Sequence, residues 1–372
     1  MISPLIVGMI ADRYFATQKV YGLLHLFGGV ALLLAGQAED WNSFYPFLLL
    51  HLICYMPTLA LSNSVCFQNI KEPKREFPPI RIFGTIGWIA SGILVGSSFF
   101  ADGSYRLVWP VFLGGADPSI QWESIASTSM TFQIAASASF ILSLYAFTLP
   151  NTPPQLRAEK TSLRDALGLR ALNMMKNRSF AVFSFCSLLL CIPLSFYFQS
   201  TNGYLKELGI ANSEGVMTLG QLSEIFFLLL VPLFFRKLGI KKMLLIGMGC
   251  WVCRYALFSQ ADHQTHAFLY MGVLLHGICY DFFFVTGQLY VDEVAPKEVR
   301  SSAQGFLAFV TLGVGMFIGG ILNGWWNEIH SVDGIINWPM IWYFPGVLTI
   351  LVMIIFVLFF KNENSNSCPK QV

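Results

Sequence analysis

Trp338 to Phe360 reads WPMIWYFPGVLTILVMIIFVLFF, 23 residues without one charged side chain. As a helix at 1.5 Å per residue it would reach about 34 Å, enough to cross the ~30 Å hydrocarbon core of a bilayer. Comparable apolar runs recur upstream at about 18–37, 43–68, 79–101, 127–149, 180–205, 213–235, 243–260, 265–291 and 302–324. Lipid offers backbone groups no water to bond, so a spanning run must be a helix or a strand of a closed barrel. These runs are too long and too continuously apolar for barrel strands of ~10 alternating residues. The expectation is therefore an all-α membrane protein with ten full spans. Composition agrees: 55% of residues are hydrophobic, 12% are charged and mean hydropathy is +0.59, where a soluble chain would carry about a quarter charged residues.

Residues 2–11 form an eleventh, shorter apolar run. Its ten residues reach only about 15 Å, half of the hydrocarbon core. It lacks the basic opening and small-residue cleavage site of a secretory signal. The run reads as the last half of a span, which makes the fold N-terminally incomplete.

Charge placement tests the span count. Arg13 and Lys19, then Lys71, Lys74, Arg75 and Arg81, then the six basic residues of 157–178 fall on alternate connections. So do Arg236, Lys237, Lys241 and Lys242, then Lys297 and Arg300, then Lys361 and Lys370. That is 20 of 23 Lys and Arg on one side, leaving Arg106 and Lys206 opposite and Arg254 inside a span. The positive-inside rule puts the central loop and the C-terminus in the cytoplasm. One helix more or fewer would scramble the alternation.

The central loop opens on the breaker Leu149-Pro150-Asn151-Thr152-Pro153-Pro154 and continues into an amphipathic stretch, Thr161 to Leu167, expected to lie on the membrane surface. It divides the chain into an N-terminal bundle at 1–149, a central loop at 150–178, a six-helix bundle at 179–361 and a cytoplasmic tail at 362–372. A second long connection, external, runs over 102–126 and carries no evident binding chemistry.

Charge inside a span costs ~2.5–3.5 kcal/mol on insertion scales, so each buried charge is a functional hypothesis. Glu224, Asp281 and Arg254 lie well inside spans, and Arg81 sits just inside the end of one. Helical spacing puts Arg81, Thr85 and Trp88 on one face, Gln221 and Glu224 on another, and His276 and Tyr280 on a third, with Asp281 one step around. The mixture suits a neutral, polyhydroxylated, partly aromatic solute: rings stack on Trp88 and Tyr280, and hydroxyls bond Gln221 and Glu224. A carboxyl placed where charge is costly can take a proton from one side and release it to the other, the chemistry of proton-coupled transport. Asp281 is expected to carry that proton with Glu224 as substrate ligand, or the two roles are exchanged. Arg254 is expected to form a structural ion pair with Asp281 or another buried acid.

Other chemistries find no footing. Cys250 and Cys253 sit mid-span and are expected to pack, and His25, His51 and His276 lack ligand spacing, so neither metal nor other cofactor is expected. No nucleophile and base come together in the pattern, so an enzyme is not expected. A net charge of +2 gives nucleic acid no purchase. Gly313, Gly315, Gly319 and Gly320 read as a close-packing surface.

Several segments carry a resemblance. Gly8-Met9-Ile10-Ala11-Asp12-Arg13, followed by Lys19, resembles the loop signature between helices 2 and 3 of the major facilitator superfamily, with Phe235-Arg236-Lys237-Leu238-Gly239-Ile240-Lys241-Lys242 as a looser counterpart. Tyr55-Met56-Pro57-Thr58-Leu59-Ala60-Leu61 and Phe77-Pro78-Pro79-Ile80-Arg81-Ile82-Phe83-Gly84-Thr85-Ile86-Gly87-Trp88 resemble the nucleoside:proton symporter family of that superfamily. So do Gly220-Gln221-Leu222-Ser223-Glu224, Tyr280-Asp281-Phe282-Phe283 and Ser302-Ala303-Gln304-Gly305. The likeness covers nearly the whole chain and is closest to bacterial inner-membrane nucleoside transporters.

The resemblance implies the major facilitator fold of twelve helices in two bundles, lacking here helix 1 and half of helix 2. It implies nucleosides and protons as the partners, and a site built by helices 5, 8 and 10: Arg81, Thr85 and Trp88; Gln221 and Glu224; His276 and Tyr280. Asp281 matches the family's helix 10 acid. Family members carry polar groups on helix 7 where this chain has Ser195 and Phe198, with Gln199 and Asn202 as substitutes, and His276 stands where another member has tyrosine. Expected alternatives are a carrier of another solute, such as a sugar, and a truncated, non-functional fragment. A monomer in the bilayer is expected.

Overall fold

The computed structural model of the protein describes residues 3–96, 98–101, 104–107, 123–125, 128–154, 171–210, 213–296, 299–332 and 334–361. Eight helices among them are long and apolar enough to cross a membrane. In chain order the helices are α1 (Ser3–Arg13), α2 (Thr17–Ala35), α3 (Trp41–Asn69), α4 (Pro73–Gly96), α5 (Met130–Ala146), α6 (Arg178–Glu207) and α7 (Ser213–Gln260). They are followed by α8 (His266–Val294), α9 (Arg300–Ile329) and α10 (Trp338–Phe359).

Most expected spans lie within a few residues of an observed helix, and the departures have local causes. The runs at 213–235 and 243–260 fall in one 48-residue helix, α7, broken at Gly239. There φ is 69° and ψ 174°, a backbone state that glycine alone adopts cheaply. The run at 127–149 gives a 17-residue helix of about 25 Å.

The run at 79–101 is displaced: α4 starts at Pro73 and ends at Gly96. Glu76 accepts the backbone N–H groups of Lys71 and Glu72 at 3.2 and 2.7 Å, which anchors the early start. Pro78 and Pro79 leave the carbonyls of Lys74 and Arg75 without helical donors, at an end where both residues are exposed. Beyond α4 the chain is extended: β1 (Ser98–Ala101) pairs antiparallel with β2 (Ser104–Leu107) and β3 (Glu123–Ser124). β1 thus takes the end of the run expected to span at 79–101, β2 and β3 fall within the connection at 102–126, and residues 108–122 lie outside those described. The amphipathic stretch at 161–167 also lies outside them.

α2 packs between α3 and α5, and α1 lies between α3 and α9; in the second group α7 packs on α8 and α10, and α6 on α9 and α10. The second core is strongly aromatic, with Phe196, Tyr197, Tyr204, Trp251, Tyr255, Phe258 and Trp342 buried together. α4 behaves differently: it lies chiefly against α7, across the divide.

The two groups are also tied at their basic end. The Asp12 carboxylate accepts the backbone N–H groups of Ser301 and Ser302 at 3.2 and 2.8 Å and the Ser302 hydroxyl at 2.5 Å. It thereby caps the first turn of α9, where helix N–H groups have no intrahelical partner. Gly8 makes room for this: a Cβ there would lie 2.9 Å from the Ser301 carbonyl oxygen. The Ser64 and Ser301 hydroxyls are hydrogen-bonded, and Lys74 Nζ meets Glu293 at 2.9 Å.

Asp12→Ala removes three hydrogen bonds to a charged acceptor, each worth about 1.5–3 kcal/mol. Maleimide labelling of a cysteine placed at Ser64 is expected to quicken about tenfold or more in the Asp12→Ala background, and less in Asp12→Asn.

Candidate functional site

The site grows from the contact of α4 with α7. Thr85 on α4 donates its hydroxyl to Glu224 Oε1 at 2.7 Å. The other carboxylate oxygen, Oε2, lies 3.9 Å from His276 Nε2 on α8. All three side chains are buried, so one carboxylate is shared among three helices. Burial makes that sharing costly to lose, because an unanswered polar group in the interior forfeits about 1–3 kcal/mol, more if charged.

Close approach of α7 and α8 makes the contact possible. A Cβ on Gly277 would lie 2.4 Å from the backbone carbon of Ser223 and 2.5 Å from the Glu224 nitrogen. A Cβ on Gly220 would sit 3.0 Å from the Cβ of His276. The helical ladder of α8 is interrupted at Leu275, and the Gly277 N–H turns to the Ser223 hydroxyl at 2.9 Å. Ser223 in turn donates to the Gly220 carbonyl at 2.8 Å. Ser223 lies within the Gly220–Glu224 motif, where a serine beside the more conspicuous Gln221 and Glu224 carries no separate signal of this role. Gly277 gave no signal, since a lone glycine in a span has many uses.

Asp281 follows one turn on, at the start of a π-helical segment, Asp281–Val285. Such segments are rare and gather at functional positions. Asp281 is fully buried, and neither carboxyl oxygen has a hydrogen-bond partner among the described residues. Arg81 lies beside Tyr280 and within electrostatic reach of Glu224 and Asp281. Its guanidinium folds along α4 over Gly84, where a Cβ would lie 2.5 Å from Nη1.

The structure thus brings Arg81, Thr85, Glu224, His276, Tyr280 and Asp281 into one neighbourhood. Gln221 stands one turn from Glu224, half-buried, and Trp88 one turn beyond Thr85 with 64% of its surface exposed. Tyr280 stacks on His276, with centroids 5.7 Å apart at 27°. Phe198 approaches His276 edge-on at 6.5 Å, so helix α6 reaches the site through a ring. The nearby amides serve neighbouring helices and turns: Gln199 donates to Ser195 at 2.8 Å and accepts from Asn323 at 3.0 Å, and Asn202 accepts from Ser213.

Arg254 corrects an expectation. It makes no ion pair with Asp281 or any other acid among the described residues. Its Nε donates to the Gly272 carbonyl at 3.0 Å, and its guanidinium lies 4.2 Å from the Tyr197 ring centroid and 5.3 Å from that of Trp251. Aromatic faces answer the cation in place of a carboxylate. Among the described residues no group of three or more His, Cys, Asp or Glu gathers as a metal site would require.

The sequence model of the nucleoside H+ symporter family matches residues 1–365. The chain belongs to that family. Its relatives match over almost the same length. YegT of Escherichia coli (strain K12) is 40% identical over 98% of this chain and 84% of its own length. The xanthosine permease of the same strain is 32% identical over 98% and 85%. The crystal structure of the nucleoside transporter NupG superposes with a TM-score of 0.67 at 27% identity, covering 97% of this chain and 87% of that one. The human organic anion transporter MFSD10, at 12% identity and a TM-score of 0.70, shares the fold alone. The symporter family and these relatives are transporters, not enzymes, and the fold is that of the major facilitator type.

Gly277→Ala drives a methyl group into the Ser223 backbone, which cannot swing away. Gly84→Ala meets only the movable end of Arg81. Gly277→Ala is expected to abolish uptake and lower the melting temperature of the purified protein, while Gly84→Ala keeps the fold and weakens uptake severalfold.

Proposed function

We propose that this protein imports nucleosides together with protons across the bacterial cytoplasmic membrane by alternating access. The observation that carries the reading is the Glu224 carboxylate, bonded to Thr85 from the first half of the chain and set against His276 from the second. A solute ligand placed between two groups of helices is what a rocking carrier requires, since each group can then present the site to one side in turn.

In this reading Glu224 and Gln221 bond the sugar hydroxyls, Arg81 and Thr85 complete the polar wall, and Tyr280 and exposed Trp88 supply aromatic surface for the base. His276 braces the carboxylate. Asp281 carries the coupling proton: a buried carboxyl without a hydrogen-bond partner is stable in apolar surroundings as the neutral acid. Arg81, within its reach, favours release when the site opens to the other side. The exchange of roles, with Glu224 as the proton carrier, separates from this one by experiment.

The spans number ten in this reading: both arms of α7, Met130–Ala146 and the seven remaining long helices, with α1 as a half-span. The bundles are 1–149 and 179–361, joined by the loop at 150–178. Alternation of basic residues supports a cytoplasmic loop and C-terminal tail, so the latch made by Asp12 and Lys74 closes the cytoplasmic side. The protein acts as a monomer.

Uptake of labelled uridine and adenosine, in cells lacking their own nucleoside carriers, tests the reading. Uptake is expected to collapse on adding a protonophore, and Glu224→Gln is expected to lower it at least tenfold. Asp281→Asn is expected to retain exchange of internal for external nucleoside while losing uphill, pH-driven accumulation. Absence of nucleoside uptake despite good membrane expression would move the assignment to another solute. Uphill, pH-driven accumulation by Asp281→Asn would remove the proton from Asp281.

A further inference from the structure

His276 meets Glu224 through Nε2, yet its other nitrogen, Nδ1, has no hydrogen-bond partner among the described residues. Its ring is held by stacking. Tyr197 on α6 lies 5.2 Å from it at 18°, and Tyr280 lies 5.7 Å from it at 27°. The Tyr197 hydroxyl is likewise unbonded among the described residues, so its ring too is fixed by its faces and edges. Those surroundings are Phe258, parallel at 6.4 Å and 3°, and the Arg254 guanidinium at 4.2 Å.

Arg254 is completely buried in the second group of helices. A fully buried cation without a carboxylate is costly in any protein, and more so within a membrane. Its Nη1 and Nη2 have no hydrogen-bond partner among the described residues. The groups that answer it are the Gly272 carbonyl and the rings of Tyr197 and Trp251. Gly272 is itself confined: a Cβ there would lie 2.3 Å from the Phe258 ring. A cation, two tyrosines and an imidazole therefore form one continuous stack, Arg254–Tyr197–His276–Tyr280, that runs from the closed core to the Glu224 carboxylate.

We propose that Arg254 and Tyr197 are positioning residues for nucleoside binding, holding the His276 imidazole against Glu224 and setting the tilt of the Tyr280 ring. The proposal rests on the reading of Glu224 and Tyr280 as substrate ligands. Arg254 and Tyr197 act on the solute only through His276 and Tyr280. A cation over an aromatic face holds that face strongly when both are desolvated, and the planar guanidinium does so in a way an ammonium does not reproduce.

The test is the dissociation constant of uridine and of adenosine for the purified full chain, by calorimetry, beside the melting temperature of each variant. Arg254→Met and Tyr197→Leu are expected to raise the dissociation constant about tenfold. Arg254→Met should not lower the melting temperature, because it removes, with the cation, the desolvation cost of a buried charge that no carboxylate answers among the described residues. Tyr197→Phe, which keeps the ring, is expected to recover most of the affinity lost in Tyr197→Leu, and Arg254→Lys to fall between parent and Arg254→Met. In uptake assays the loss should appear as a higher KM with little change in the maximal rate.

Affinity within twofold of the parent in Arg254→Met would overturn the proposal. So would a loss that follows the melting temperature and is not relieved in Tyr197→Phe. If Arg254→Met does not fold, unchanged affinity in Arg254→Lys overturns it equally. Glu224→Gln, run alongside, separates the two levels. Unchanged affinity there refutes the ligand reading itself, whereas lost affinity there with unchanged Arg254→Met refutes only the stack.

Discussion

A carboxylate placed inside a membrane protein has to be answered by polar groups from somewhere, and the answer given to Glu224 organises the rest of the structure. Thr85 comes from α4 and His276 from α8, while Glu224 itself stands on α7. Three helices from two halves of the chain must therefore hold their relative heights to within a hydrogen bond. α4 leaves the first group of helices and lies on α7, which brings Thr85 to the carboxylate. Where the same helix meets the second half at its basic end, Lys74 pairs with Glu293, so α4 is tied to that half at two levels.

Close packing converts this constraint into sequence. Lipid gives little hydrophobic reason for two helices to press together, so contact depends on small residues and on hydrogen bonds between helices. Gly277 against the Ser223 backbone, Gly220 against His276, and the Gly277 N–H bonded to the Ser223 hydroxyl are the local form of that rule. At the basic end Gly8 plays the same part beneath Ser301, and Asp12 supplies the polar bond. The Asp12 contact between the groups, and the α7–α8 contact that presents Glu224 to His276, are thus each seated on a glycine that removes a steric obstacle.

The helices were legible in the sequence because hydrocarbon demands long apolar runs and leaves little else possible. The runs at 180–205, 265–291, 302–324 and 338–360 differ from the observed helices by a few residues. Glu224, Asp281, Arg81 and Thr85 were legible for a related reason: polar groups stand out against such runs, and helical spacing sorts them by face. What escaped depended on information that periodicity does not hold. The start of α4 at Pro73 follows from Glu76 capping backbone groups, and β1 to β3 from pairing across 98–124. For Arg254 the sequence points to an acid, because a buried cation suggests one, whereas the rings of Tyr197 and Trp251 serve instead. Tyr197 itself is hidden among Phe196, Phe198 and their apolar neighbours, where composition cannot tell a supporting ring from filling.

The most direct measure of whether Glu224 joins the two halves at the nucleoside site is a double-mutant cycle of Thr85→Val and Glu224→Gln, read as uridine affinity in the purified protein. If the carboxylate and the hydroxyl act together in binding, the two losses overlap, and the coupling exceeds about 1 kcal/mol, as for contacting residues in one network. Losses that simply add, within about 0.3–0.5 kcal/mol, would place the two residues in separate roles. That result would contradict a site held between the halves by one shared carboxylate.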